Sequence, residues 1–81
     1  MIAGRHKVVM YTTPTCSYCR LAKAYLNQNR VRYTEIDVSR DQRASADMVR
    51  RTGQSAVPVI LIDNRPIVGF DKRRIDRMLG L

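Results

Sequence analysis

"KVVMYTTPTCSYCRLAKAYLNQN", residues 7–29, decides the fold. Residues 7–11 form a short apolar run rich in β-formers, the pattern of a buried strand. "TTPT" ends it, because Pro14 lacks the amide hydrogen that a continuing central strand needs. From residue 16 to about residue 29 the period becomes helical, with Leu21, Ala22, Tyr25 and Leu26 on one face. The two cysteines of the chain, Cys16 and Cys19, fall at this junction of strand and helix.

The rest of the chain extends the pattern. "VRYTEIDV", residues 31–38, alternates like a strand, with Val31, Tyr33, Glu35 and Asp37 pointing one way and Arg32, Thr34, Ile36 and Val38 the other. Ser39 followed by Gln42 fits a capping box, so a helix is expected to about Thr52, burying Met48 and Val49. Gly53 suits the left-handed position past its end. "VPVILI", residues 57–62, is the most apolar segment, and its β-branched content marks a central strand. "DNRP" reads as a turn and "IVGF" as a strand paired back in a hairpin. Asp71 is placed to cap a last helix that turns Ile75, Met78 and Leu79 inward. The first strand, helix and strand form a parallel crossover unit. The predicted class is therefore α/β, a four-stranded mixed sheet flanked by three helices in the order β-α-β-α-β-β-α.

With 81 residues the chain reads as one domain, residues 1–81. Such a domain buries roughly 60% of the surface its unfolded chain exposes. No apolar run approaches the ~20 residues of a membrane span, and the start, "MIAGRHKVVMY", lacks the apolar stretch of a signal peptide. A cytoplasmic protein is expected, where thiols stay mostly reduced and a static disulfide is disfavoured. The net charge of +8 is mostly arginine and admits anionic partners. The spacing of Arg43 and Asp47, Asp47 and Arg51, and Lys72 and Asp76 pairs many of these charges along helix faces. The basic run "DKRRIDR", residues 71–77, has no interleaved aromatic residues to stack bases. Neither specific nucleic-acid binding nor membrane binding is expected.

The cysteine spacing carries the chemistry. Cys16 opens a helix, where unsatisfied N–H groups and the positive helix end favour a thiolate. Cys19 lies one turn on, on the same face, and Arg20 and Lys23 add positive charge. A thiolate at Cys16 can attack a disulfide to form a mixed disulfide, which Cys19 then resolves. The competing readings are weaker. Zinc usually takes four ligands, and only His6 remains as a nitrogen donor unless a dimer supplies four thiolates. Inert core thiols do not suit an exposed strand–helix junction. A C-x-x-C pair inside a β-α-β unit points to redox work.

At these residues the chain resembles the glutaredoxin branch of the thioredoxin fold. "YTTPTCSYC" resembles the strand end, loop and active site of glutaredoxins, whose commonest motif is C-P-Y-C. "TGQSAVPVILI" resembles the segment that opens their third strand, and "VGFDKRRIDRML" the segment before their last helix. The resemblance implies a dithiol–disulfide oxidoreductase in which Cys16 attacks and Cys19 resolves. It implies that Tyr18 flanks the site, that Val57 offers its backbone to an extended substrate by strand addition, and that Pro58 is cis and faces the cysteines. Gly69, Phe70 and Asp71 fall in the segment that holds glutathione in the family.

Two departures bear on the electron donor. Many glutaredoxins carry Lys three residues before the first cysteine, where this chain has Thr13. Their "G-G-x-D-D" segment is here Val68, Gly69, Phe70, Asp71 and Lys72, so Lys72 reverses a charge offered to an ammonium group. "GF" resembles instead the NrdH-type redoxins, which take electrons from thioredoxin reductase. The expected partners are a disulfide-containing protein substrate, with glutathione as co-substrate or thioredoxin reductase as reductant. An apolar rim of Tyr18, Val57 and Phe70, ringed by Arg20, Lys23 and Lys72, is expected to suit an acidic protein or an anionic thiol. Neither a tightly bound cofactor nor a metal is expected, and a monomer is. The alternative, drawn from glutaredoxins with C-S-Y-C, is a glutathione-linked iron–sulfur cluster between two subunits; Ser17 belongs to that motif.

Overall fold

The structure, a computed structural model, describes residues 6–81; the reading of residues 1–5 as free of a leader lies outside them. The elements are β1 (Val8–Thr12), α1 (Ser17–Gln28), β2 (Thr34–Asp37), α2 (Gln42–Thr52), β3 (Val59–Ile62), β4 (Arg65–Val68) and α3 (Lys72–Leu79). The sheet order is β2-β1-β3-β4, with β1 and β2 parallel and the remaining pairs antiparallel. The mixed sheet and element order match those expected from the periodicity.

Every residue of β3 is buried, because it is a central strand covered on both faces. Ile60 and Ile62 pack with Met10, Ala22, Leu26, Ile75 and Leu79, the layer under α1 and α3. Val59 and Leu61 pack with Tyr11 and Met48, the layer under α2. Burying each such aliphatic side chain contributes roughly 1.5–3 kcal/mol relative to exposure. The alternation read from residues 31–38 holds: Val31 and Tyr33 meet the first layer, Ile36 and Val38 the second. The strand itself is shorter than that segment, since only Thr34–Asp37 pairs with β1.

Four local expectations are corrected. The start of α2 is capped by Asp41, whose carboxylate accepts the Ala44 N–H at 2.9 Å. Ser39 is unavailable for the expected capping box, because its N–H and hydroxyl both donate to Asp37 Oδ1. Leu21 and Val49 are exposed, not buried; the inner face of α1 is Cys19, Ala22 and Leu26, and α2 buries Met48 alone. Asp47 pairs with Arg50 and Arg51, not with Arg43. Met78 is half-buried beside the buried Ile75 and Leu79.

Other local signals act as read. Gly53 ends α2 in the left-handed region, at φ 76°, with its N–H on Val49 O. Asp63 and Asn64 both have positive φ, the conformation of a two-residue hairpin turn whose twist matches its strands; this turn is shorter than expected, so Arg65 and Pro66 pair in β4, which ends at Val68 and leaves Gly69 and Phe70 outside the strand. Asp71 caps α3 by accepting the Arg74 N–H.

Candidate active site

Cys16 is the N-cap of α1. Its sulfur accepts the backbone N–H of Cys19 at 3.1 Å, and its thiol reaches Val57 O at 3.7 Å. The strand ends at Thr12, and the Pro14 loop hands the chain to the helix, so the first thiol meets an otherwise unpaired helix N–H. Cys16 is partly exposed, whereas Cys19 is buried and both are free thiols. Burial, and second the hydrogen bond to Cys16, push the Cys19 thiol up to about 11; a backbone contact at Thr13 and the Lys23 charge act against this. The two sulfurs are therefore unequal. One is accessible and set against a helix N–H, and the other is held protonated behind it.

The loop before β3 faces this pair. The Val57–Pro58 peptide is cis, the isomer the resemblance implied. Pro58 O accepts the Gly69 N–H at 2.8 Å. Gly69 sits at φ 80° with open space where a Cβ would lie, so its backbone conformation is what calls for glycine.

The remaining predicted site residues each have packing or polar contacts of their own. Phe70 packs into the layer under α1 and α3, with its ring 5.8 Å from that of Tyr25. Val57 packs with the opposite layer, under α2. Tyr18 is 63% exposed. The carboxylate of Asp71 is engaged as the cap of α3. Lys72 lies 5.1 Å from the centre of the Tyr25 ring and 3.4 Å from Asp76, whose carboxylate also accepts the Tyr25 hydroxyl. Hydrogen bonds and chain connectivity thus link Cys16, Cys19, Val57, Pro58 and Gly69, while Phe70 and Lys72 both contact Tyr25.

Two residues, Thr12 and Glu35, were not singled out from the sequence. Thr12, buried at the end of β1, donates its hydroxyl to Glu35 Oε2 at 2.8 Å, and Lys23 donates to the same oxygen at 3.0 Å. These two donors, Lys23 first, hold the Glu35 carboxyl below its usual range. The available signal was weak: Glu35 is a charged residue on the strand face that begins with Val31 and Tyr33 and ends with Asp37.

A helix-capping thiol and a buried second thiol one turn on, carried by this sheet and faced by a cis-proline loop, place the molecule among the dithiol proteins of the thioredoxin-like fold. Comparison with known proteins narrows the class. The family model for glutaredoxin matches residues 8–67. A glutaredoxin-like 8.6 kDa protein in the rubredoxin operon of Clostridium pasteurianum is 38% identical over 72 residues, covering 89% of this chain and 96% of that protein. Glutaredoxin 3 of Escherichia coli K12 is 38% identical over 64 residues, 79% and 77% of the two chains. The crystal structure of Methanosarcina acetivorans methanoredoxin superposes with a TM-score of 0.88 at 26% identity, covering 100% of this chain and 94% of that one. The chain belongs to the glutaredoxin family, and its Cys16–Cys19 pair makes it a thiol oxidoreductase of that family.

Proposed function

We propose that this chain reduces disulfides in proteins or small molecules, with Cys16 attacking and Cys19 resolving. The observation that carries this reading is the asymmetry of the two thiols: Cys16 is partly exposed with its sulfur on the Cys19 N–H, and Cys19 is buried. Attack by a Cys16 thiolate forms a mixed disulfide and releases the first substrate thiol. Cys19 then loses its proton and attacks the Cys16 sulfur. The second substrate thiol leaves, and the protein is oxidised by two electrons. The Val57 carbonyl, within reach of the Cys16 thiol, favours an extended substrate laid along that backbone. Replacing Cys16 with Ser tests the reading: disulfide reduction must cease, and retained turnover would overturn it.

The oxidised form must be recharged by glutathione, as co-substrate, or by thioredoxin reductase. Lys72 favours the protein reductase, because an ammonium stands where the family offers a carboxylate to the amino group of glutathione. Supplying NADPH with thioredoxin reductase, or with glutathione and glutathione reductase, separates the two donors by the rate of NADPH loss. Turnover with glutathione alone would overturn the preference.

The iron–sulfur alternative fits this chain less well. Among the described residues there is no group of three or more His, Cys, Asp or Glu side chains that could hold a metal, so Cys16 would contribute a single ligand and the rest would come from outside the chain. An anaerobic preparation free of iron and colour would count against it. The chain is expected to act as a monomer without a tightly bound cofactor.

A further inference from the structure

The resolving step poses a problem that the first step does not. Cys19 is 1% exposed, and a buried thiol resists losing its proton, yet only its thiolate can attack Cys16. Something must favour that ionisation. The Cys16 sulfur comes from the helix start, the Thr13 backbone, which favours the thiolate, from the loop, and Lys23 from α1 itself, four residues past Cys19 and so on the same helical face. Lys23 is the cation of this set, and the polar surroundings hold it. Its ammonium is fixed on Glu35 Oε2 of β2, and that oxygen is fixed in turn by the hydroxyl of buried Thr12. Asp37 lies further along β2 and engages Ser39.

We propose that Lys23, anchored through Glu35 to Thr12, is a positioning residue that eases ionisation of Cys19 during resolution of the mixed disulfide. The inference rests on the proposed roles of the two cysteines. In the step concerned, the Cys19 S–H gives its proton to solvent and the thiolate attacks Cys16 Sγ. The Cys16–Cys19 bond forms as the bond from Cys16 to the substrate sulfur breaks. That sulfur leaves with the electron pair and takes up a proton. The Lys23 charge opposes the effect of burial on Cys19. Glu35 and Thr12 keep the ammonium from swinging into solvent.

The test uses the full chain and an aromatic disulfide whose released thiolate is coloured. The first release reports attack by Cys16, and the second reports resolution by Cys19. Without a first release in the unaltered protein, the proposed cysteine roles fail, independently of Lys23. In Lys23→Met the first release should persist. The second should slow by about threefold at neutral pH for each unit that the thiol rises, since loss of thiolate outweighs the gain in its nucleophilicity. The pH midpoint of that phase should move upward, and Lys23→Arg should bring it back. Because Lys23→Met leaves the Glu35 carboxylate unpaired, the double variant Lys23→Met with Glu35→Gln decides the cause. A midpoint that stays high in the double variant supports the lost cation. A midpoint that returns to the original value assigns the effect to orphaned Glu35 and overturns the proposal, as does an unshifted midpoint in Lys23→Met.

Discussion

The ring of Phe70 lies 5.8 Å from that of Tyr25, with the planes tilted by 59°. This pairing joins the loop before α3 to the face of α1. Tyr25 also donates its hydroxyl to Asp76 of α3 and stands beneath the Lys72 ammonium. Phe70 and Lys72 are thus tied into an aromatic and ionic cluster of the fold. Phe70→Ala should accordingly lower stability by about 2 kcal/mol, less than the loss of a fully buried ring. The midpoint of thermal unfolding reads this out, with turnover of the folded variant largely kept. A large loss of turnover with unchanged stability would place Phe70 back in the substrate site.

Lys72→Asp restores the acidic residue of the family pattern. A charge-assisted hydrogen bond to a ligand ammonium is worth roughly 1.5–3 kcal/mol. The Michaelis constant for glutathione in the recycling assay should therefore fall by about tenfold or more. The variant also breaks the contact with Asp76 and puts two carboxylates four residues apart on α3, so a small drop in thermal midpoint accompanies the gain.

The unequal thiols predict ordered chemistry. An alkylating agent applied to the reduced protein at mildly alkaline pH should modify Cys16 first, as a mass spectrum of the digest would show. Cys19, buried and pushed up to about 11, should react only when the protein is unfolded. In Cys19→Ser, attack should stop at a mixed disulfide on Cys16, visible as an adduct of one substrate half.

Asp47 ties α2 to β1. The guanidinium of Arg51, then the hydroxyl of Tyr11, hold its carboxyl at about 2; the Tyr11 bond is 2.8 Å. Because the folded state depresses this group, its contribution to stability is present above the ordinary carboxylate range. It is lost as pH falls from about 4 toward 2. Asp47→Asn should lower stability at neutral pH and flatten the acid limb of stability against pH in that window. Urea unfolding at neutral and acid pH checks both.

The sequence by itself determined the order of elements, the dithiol at a strand–helix junction, the cap at Asp71, the left-handed Gly53 and a turn within residues 63–66. Each of these is a near-neighbour effect: a periodicity, a capping side chain, or a backbone conformation set within a few residues. Tertiary structure decided the matters in which distant groups compete for one partner. Asp37 captures Ser39, so the cap of α2 passes to Asp41. The faces of α1 and α2 turn Leu21 and Val49 outward, because the sheet gives each helix only a narrow apolar contact. Tyr25 gathers Phe70 and Lys72 against its ring, and Glu35, 12 residues from Lys23 and 23 from Thr12, gathers both around one carboxylate oxygen. Spacing along the chain places the two thiols. Which charges surround them depends on how the helices lie on the sheet, and that is settled only when the two layers pack.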